Sequence, residues 1–242
     1  LYLAAAGVGS LGIIDDDDVD VTNLQRQVLH TMPDVGLAKV ESARRAVKAL
    51  NPDVEVVAHR EALTSRNALE VLGGWDVVID GTDNFPTRYL VNDACVMLGT
   101  PLVNGAVFRS DGQVAVFDAR RGPCYRCVHP TPPDPGAVPS CAEGGVLGVM
   151  PGIVGTMQAA EALKLVVGGA RPLIGRMVLF NAWAGRGSEL TIRKNPTCPV
   201  CGSEPTITGL IDDEVLCGVT RTPDTPDSHI DGRKGRTMNE MT

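Results

Sequence analysis

The stretch Ile13–Gln27, IIDDDDVDVTNLQRQ, decides the fold that we expect for this chain. An apolar run ends on Asp15, and the segment Asn23–Gln27 then supplies three amides and the cation Arg26. In dinucleotide-type α/β folds, a carboxylate at the carboxyl end of a parallel strand accepts hydrogen bonds from ribose hydroxyls. A guanidinium can neutralise phosphate charge, and amides can donate to a phosphate or a base without adding charge. The stretch therefore predicts a nucleotide site.

A glycine motif lies just before this stretch, since Gly7–Gly12 matches the pattern G-x-G-x-x-G. A phosphate-binding loop needs a strand before the glycines and a helix after them. Here the order is reversed, because Leu1–Ala6 predicts the end of a helix with Gly7 as its cap, and Leu11–Ile14 predicts a strand. We therefore reject the motif. We expect that the first strand and the true glycine loop preceded Leu1 and are missing from an N-terminally truncated chain.

The composition excludes two classes of partner. The 242 residues carry a net charge of -7 and form no basic stripe, which excludes nucleic acid. The most apolar stretch, Val146–Val167, is interrupted by Pro151 and glycines and carries Glu161 and Lys164, which excludes a membrane span. Four of the seven cysteines form two C-x-x-C pairs, which indicates a metal and a cytoplasmic, reducing location.

The order of predicted elements gives the fold class. After the first strand, helices and strands alternate in a way that predicts βαβ units: helix Val35–Leu50, strand Val54–Ala58, helix Ser65–Leu72, strand Val77–Asp80, helix Pro86–Leu98 and strand Leu102–Asn104. Three further strands, Gln113–Asp118, Met177–Ala182 and Leu190–Arg193, predict an antiparallel extension, with a helix Ile153–Val167 between the first two. We therefore predict an α/β protein with a Rossmann-like, mostly parallel sheet and an antiparallel extension, in a domain of residues 1–204 followed by a largely disordered tail, 205–242.

Cys124-Tyr-Arg-Cys127 and Cys198-Pro-Val-Cys201 give the strongest metal pattern. Two such pairs can complete a tetrahedral Zn²⁺ shell with no open position, so we expect a structural zinc that staples the antiparallel region. The alternative is a pair of redox dithiols or disulfides. The separation of the pairs and the absence of a thioredoxin-like context disfavour it.

Asp83 and Lys39 are further candidates for the nucleotide site. Asp83 follows a predicted strand and precedes a helix, so it lies at the carboxyl edge of the sheet, where open α/β sheets bind ligands. A carboxylate facing phosphates requires an intervening cation, which makes Asp83 a candidate Mg²⁺ ligand. The alternative is that Asp83 or Asn84 caps the following helix. Lys39 lies near the start of the Val35 helix and is expected to point toward Asp15 and a phosphate.

Most of the remaining distinctive residues are predicted to have structural roles. We interpret Cys95 as a core residue, and His30, Trp75 and Trp183 as packing residues. Arg88 is expected either to face a phosphate or to pair with Asp93.

Taken together, these motifs resemble the MoeB/ThiF proteins, which are relatives of the ubiquitin-activating enzymes. The resemblance covers Leu1 to about Gly202 and rests on motifs that occur in the family's order: Asp15, NLQRQ at 23–27, VGLAKVESA at 35–43, GTDN at 81–84, CYRC at 124–127, SCAEGGV at 140–146 and NPTCPVC at 195–201. The segment 211–218 is similar to the junction that leads into the rhodanese domain of MoeZ-type fusions.

The resemblance implies an ATP-dependent adenylyltransferase that acts on the C-terminal Gly-Gly of a ubiquitin-fold sulfur carrier protein, in molybdopterin or related cofactor biosynthesis. Asp15 would bind the ribose, Arg26 and Lys39 the phosphates, and Asp83 the magnesium. The amides of Asn23, Gln27 and Asn84 would help to bind the nucleotide.

Cys141 matches the position of the family's reactive cysteine. It is a candidate nucleophile, which makes it the third catalytic candidate together with Arg26 and Asp83. The alternative is a loop cysteine without a catalytic role.

The family also implies a homodimer and a rhodanese sulfurtransferase, either as a partner or as a lost fused domain. Two alternatives stay open: a ThiF-type enzyme of the thiamine pathway, and a catalytically inactive dimer partner of an activating enzyme.

Overall fold

The structure, a computed structural model, describes residues 1–134 and 144–211. The helices are α1 (Tyr2–Ala5), α2 (Lys39–Leu50), α3 (Ala68–Leu72), α4 (Phe85–Leu98), α5 (Tyr125–Val128) and α6 (Val149–Val167). The strands are β1 (Ser10–Ile14), β2 (Glu55–His59), β3 (Val78–Asp80), β4 (Leu102–Phe108), β5 (Asp111–Phe117), β6 (Arg176–Asn181) and β7 (Arg186–Thr191). Two short 3₁₀ turns, Val21–Asn23 and Met32–Asp34, lie between β1 and α2.

The order of α1 and β1 confirms that the glycine motif is not a phosphate loop. Helix α1 precedes the glycines, Gly7 has φ +79° just beyond its end, and β1 follows. Gly12 lies within β1 and faces Trp75, because a Cβ at this position would lie 2.5 Å from Cζ2 of the indole. Gly12 is therefore needed for strand packing.

The described strands form two sheets. β1 and β2 make a parallel pair in which Ser10 aligns with Glu55 and Ile14 with His59. The second sheet has the order β3-β4-β5-β6-β7; its first pair is parallel and the other three are antiparallel. This confirms the predicted α/β class with an antiparallel extension. The division into two sheets was not predicted.

The five-stranded sheet is covered by helices on both faces. Leu102 and Phe117 pack on one face with residues of α4, whereas the adjacent Val103 and Val116 pack on the other with residues of α6. Side chains of neighbouring strand residues point to opposite faces, so a sheet buried on both sides shows unbroken apolar runs. This explains why β4 and β5 gave clear strand signals in the sequence.

Several elements differ from their predicted bounds. β7 starts at Arg186 rather than Leu190, whereas α2 and α3 start later than predicted, at Lys39 and Ala68. β4 was expected to end at Asn104 but continues to Phe108, since it pairs with β5 along its whole length. Gly105 does not interrupt it; a Cβ there would overlap the carboxamide of Gln158, so the glycine lets α6 approach the sheet. Helix α6 starts at Val149 rather than Ile153, because Pro151 falls in its first turn, where no intrahelical N–H bond is lost.

The structure also tests the predicted packing residues. His30 and Cys95 are buried, and Trp75 packs on Gly12, as predicted. Trp183 was predicted to pack, but this is wrong, since 79% of its surface is exposed on the turn between β6 and β7. Within the described ranges, no helix combines the length and the hydropathy that a membrane crossing requires.

Candidate functional site

Lys39 and the acidic loop after β1 meet at the start of α2. Lys39 is the first residue of α2, and its ammonium lies 2.6 Å from Oδ2 of Asp17 and 3.7 Å from Oδ1 of Asp15. The backbone fixes this arrangement, because the Lys39 amide donates to the Asp17 carbonyl at 3.0 Å and Asp18 forms a bridge with Ala38. The structure thus places a cation beside the carboxylate at the end of β1.

The electrostatics of this cluster suit an anionic ligand. Partial burial raises the pKa of Asp15, while the Asp17 amide and the Lys39 ammonium act in the opposite direction. Only 11% of the Lys39 side chain is exposed, whereas its partner Asp17 is 68% exposed. An exposed carboxylate is easily rehydrated, so a phosphate oxygen can replace Asp17 at the ammonium with little desolvation cost.

The segment Asn23–Gln27 lies against the start of α6. The Asn23 carboxamide oxygen accepts from the Asp20 amide at 3.2 Å, and the Arg26 guanidinium donates to the Thr22 carbonyl at 3.1 Å. A Cβ on Gly148 would overlap the carbonyl of Gln25, so these two segments are in direct contact. The sequence analysis missed this contact, because nothing local in either segment indicates the other.

Gln27 has an unsatisfied acceptor. Its Oε1 is buried and has no hydrogen-bond partner among the described residues. A buried unpaired acceptor costs about 1–3 kcal/mol, so a donor supplied by a ligand would stabilise this site. Ribose hydroxyls and the adenine amino group are donors of the required kind.

The Gly81–Asn84 loop carries Asp83 at the amino end of α4. Asn84 is the N-cap, and its side-chain oxygen accepts from the Thr87 amide at 2.9 Å. Asp83 is exposed, and its carboxylate makes no recorded hydrogen bond or ion pair within residues 1–134 and 144–211. The capping role therefore belongs to Asn84, and both oxygens of Asp83 are open to a hard cation such as Mg²⁺.

One of the two alternatives from the sequence paired Arg88 with Asp93, and the structure contradicts it. The Nε and Nη2 of Arg88 donate to the Thr82 carbonyl at 3.2 and 2.7 Å. Asp93 is instead paired with Arg126. Arg88 and Asp93 therefore bind two different partners.

The four cysteines of the two C-x-x-C pairs form one cluster. Their Sγ atoms all lie within 4.8 Å of one another, with separations of 3.9 Å for 124–127, 3.5 Å for 124–198 and 3.4 Å for 127–201. Zn–S bonds of about 2.3 Å in a tetrahedron give S···S distances of about 3.8 Å. The donor set and spacing therefore fit Zn²⁺, and the four cysteines that the sequence analysis grouped do lie together.

Without a bound cation, burial and mutual repulsion disfavour the thiolate form of Cys124 and Cys201. Burial, together with the neighbouring thiols, raises the pKa of Cys124, and burial raises that of Cys201 to about 12. For Cys198 burial acts in the same direction, but the amides of Cys201 and Val200 hold its pKa below the usual value. Four thiolates in such a small volume repel one another, so a bound Zn²⁺ would be needed to keep them ionised.

A buried ion pair attaches the first cysteine pair to α4. Arg126 makes three hydrogen bonds of 2.7–3.0 Å to the Asp93 carboxylate, and its guanidinium lies over the Tyr89 ring at 4.5 Å. The Tyr125 amide donates to Asn92 at 2.7 Å. Sequence reasoning missed these roles, although a buried arginine between two metal ligands can be suspected from the C-Y-R-C pattern itself.

The last candidate, Cys141, lies outside the described residues. The other candidates for the nucleotide site fall at three places: the end of β1 with the start of α2, the turn against α6, and the amino end of α4.

Comparison with known proteins assigns the chain to a family. The ThiF family matches residues 1–200. This chain belongs to the ThiF family. The family prediction made from the motifs is thereby confirmed.

Two relatives illustrate the match. A sulfur carrier protein adenylyltransferase of Thermus thermophilus is 55% identical over 223 residues, covering 90% of this chain and 82% of the relative. The adenylyltransferase and sulfurtransferase MOCS3 of Drosophila yakuba is 50% identical over 222 residues, covering 91% of this chain but 49% of the relative. The chain therefore spans about half the length of the second kind of relative. Both proteins are adenylyltransferases by name, which is the enzyme class that the sequence predicted.

Solved structures confirm the fold. E. coli MccB with MccA-N7isoASN superposes with a TM-score of 0.74 at 21% identity, covering 84% of this chain and 62% of that one. PaaA superposes with a TM-score of 0.64 at 24% identity, covering 81% of this chain and 60% of that one. At this level of identity the likeness concerns the fold alone.

Proposed function

We propose that this chain adenylylates the C-terminal glycine of a ubiquitin-fold sulfur carrier protein at the expense of ATP. The observation that carries the proposal is the nearly buried ammonium of Lys39 beside the carboxylates of Asp15 and Asp17, at the end of β1 in a chain of the ThiF family. A ribose acceptor next to a phosphate-binding cation is what a nucleotide site requires. The names of the relatives support a sulfur carrier as the second substrate.

Each candidate residue then has a defined task. Asp15 accepts from the ribose hydroxyls, and Lys39 exchanges Asp17 for a phosphate oxygen. Arg26 has donors beyond the one that binds the Thr22 carbonyl, and these meet the phosphates. Asn23 and Gln27 orient the nucleotide, for which the unpaired Oε1 of Gln27 provides a buried acceptor.

The reaction requires charge neutralisation more than proton transfer. The carrier's terminal carboxylate attacks the α-phosphorus of ATP, the bond from that phosphorus to the bridging oxygen breaks, and pyrophosphate leaves with the electron pair. The carboxylate is already ionised, so no general base is needed. Positioning and cationic stabilisation supply the rate enhancement. A Mg²⁺ ion held by Asp83 would neutralise charge on the phosphates, and the carboxamide of Asn84 would help to bind the nucleotide.

The cysteine cluster has a structural role in this proposal. Cys124, Cys127, Cys198 and Cys201 would hold one Zn²⁺ with no position open to substrate. The metal joins α5 to the segment after β7 and so closes the antiparallel region.

Several finer features belong to the same proposal. The chain acts as a homodimer in the cytoplasm, and a rhodanese sulfurtransferase, separate or fused, delivers sulfur to the acyl-adenylate. Cys141 takes part in that later sulfur step and not in adenylation. Among possible pathways, molybdopterin or a related sulfur-dependent cofactor comes first and the thiamine pathway second.

Pyrophosphate exchange tests the proposal directly. The full-length protein that contains this chain is incubated with ATP, Mg²⁺, labelled pyrophosphate and one purified carrier protein at a time. We expect label to enter ATP with one carrier class, and a carrier lacking its last two glycines to abolish exchange. The absence of carrier-dependent exchange with every carrier, in a folded protein that contains the intact residues above, would contradict catalysis and favour the inactive-partner alternative.

A further inference from the structure

Thr82 makes more hydrogen bonds than its neighbours in the Gly81–Asn84 loop, although it carries no charge. Its amide and its hydroxyl both donate to Oδ1 of Asp80, at 2.8 and 2.7 Å. Its carbonyl accepts both bonds from Arg88. The proposed reaction requires no hydroxyl at this position, so these contacts need another explanation.

The Asp80 carboxylate is a rigid anchor for Thr82. Asp80 is 2% exposed, and its second oxygen accepts from the buried Asn104 side chain at 2.9 Å. Its carbonyl accepts from Gln158 of α6 at 2.7 Å. The end of β3 is therefore held from β4 and from α6 at once, and Thr82 is tied to that fixed point.

In the described part of the chain, the carboxylates of Asp80 and Asp83 outnumber the one guanidinium that binds this loop, which is that of Arg88 at the Thr82 carbonyl, so the loop carries a net negative charge that favours a cation. Asp80 has no ion pair among the described residues, so its negative charge is stabilised by hydrogen bonds only. Asp83, three residues later, adds a second carboxylate, which makes no hydrogen bond or ion pair within residues 1–134 and 144–211. Asp80 already accepts three hydrogen bonds, whereas the oxygens of Asp83 are open. A divalent ion at the loop would therefore contact Asp83 and be held in the field of both carboxylates.

We propose that Thr82 is a positioning residue, whose hydroxyl bond to Asp80 holds the Asp83 carboxylate at the place where the divalent cation of the nucleotide binds. This inference rests on the proposed function, in which Asp83 meets that cation. Mg²⁺ needs near-ideal geometry, so a carboxylate held in place binds it better than one on a loose loop.

Two substitutions separate the hydroxyl from the rest of the side chain. Thr82→Val keeps the shape but loses the bond to Asp80, and Thr82→Ser keeps the bond. We expect Thr82→Val to raise the half-saturating Mg²⁺ concentration for pyrophosphate exchange by about tenfold, the scale of one hydrogen bond to a charged group. Thr82→Ser is expected to stay within about twofold of the parent. At saturating Mg²⁺ the exchange rate of Thr82→Val should approach that of the parent.

A matched control and a second variant guard against general effects. Thr64→Val removes a threonine hydroxyl that bonds Asn67 outside this loop, and it should leave the Mg²⁺ dependence unchanged. Thr82→Ala removes the same hydroxyl as Thr82→Val without placing a methyl group against Asp80, so it should show the same shift even if Thr82→Val fails to fold.

Metal binding compares the Thr82 variants with the parent without requiring turnover. The electron paramagnetic resonance signal of free Mn²⁺, measured with a non-hydrolysable ATP analogue, should show about tenfold weaker binding in Thr82→Val or Thr82→Ala than in the parent and Thr82→Ser. Unchanged Mn²⁺ affinity, or an exchange rate that falls equally at all Mg²⁺ concentrations, would overturn the positioning role. A parent protein that binds Mn²⁺ and nucleotide but shows no exchange would instead contradict the proposed function alone.

Discussion

Replacing Arg126 by methionine tests whether the buried pair with Asp93 fixes the metal-binding segment to α4. Methionine has a similar length and is apolar, so it fills much of the space of the arginine stem but removes the three hydrogen bonds to the Asp93 carboxylate. The two side chains are 3% and 5% exposed. Asp93 would be left as a buried charge without its cation.

The expected magnitude follows from this burial. Removing one partner of a buried ion pair costs about 3–5 kcal/mol, because the remaining charge is neither paired nor hydrated. The total free energy of unfolding of a domain is about 5–15 kcal/mol, so Arg126→Met should remove a large part of it. With a urea m-value of about 2–3 kcal/mol per molar, the unfolding midpoint should fall by roughly 1–2.5 M.

The assay is urea unfolding followed by circular dichroism, at fixed protein and zinc concentrations. Arg60→Met is the matched control, since Arg60 bonds Asp18 at 2.8 Å but the two side chains are 60% and 50% exposed, and its cost should stay below about 1 kcal/mol. The double substitution Asp93→Leu with Arg126→Met should be more stable than Arg126→Met alone, since no unpaired charge remains. A cost below about 1 kcal/mol for Arg126→Met, or a double variant no better than the single one, would refute the reasoning.

Three further outcomes are expected. Freshly purified, reduced protein should contain one zinc per chain, and chelation should lower its melting temperature, because binding free energy is folding free energy at such a site; substoichiometric zinc by metal analysis would count against the cysteine site. In the full-length protein that contains this chain, Asp83→Ala and Arg26→Ala should each reduce carrier-dependent pyrophosphate exchange by about 100-fold or more while folding survives, whereas Cys141→Ala should leave exchange nearly intact; normal exchange in Asp83→Ala would show that the metal role is misplaced. Light scattering at micromolar concentration should give a homodimer, and a monomer there would contradict the pairing that we propose.

The sequence predicted the parts of the fold that depend on local patterns. Apolar periodicity located β1 to β4 and α4, and the rejection of the glycine motif followed from the order of helix and strand around Gly7. The C-x-x-C spacing predicted a cluster whose sulfur positions now fit a tetrahedron. The helices and strands were predicted because each depends on residues close together in the chain. The two cysteine pairs are 74 residues apart, and they were joined because one tetrahedral zinc needs four ligands.

The parts that the sequence did not predict are long-range polar contacts. One of the two alternatives for Arg88 paired it with Asp93 on the same helix, whereas the partner of Asp93 in the structure is Arg126, 33 residues away. The contact of Gln25 with Gly148 and the bond from Gln158 to Asp80 likewise join distant segments. No periodicity encodes such pairs, because they depend on how finished elements pack.

Helix α4 connects the proposed magnesium site to the cysteine cluster. Its amino end is capped by Asn84 next to Asp83, and its middle holds the first cysteine pair through Asn92 and Asp93. Because both contacts are on one helix, a displacement of α4 at the cysteine segment would also displace Asp83. The effect of zinc on activity therefore cannot be taken as evidence that zinc participates in the reaction. Because Arg126→Met loosens this link without touching a metal ligand or a nucleotide residue, it separates the contribution of the attachment from that of the ion.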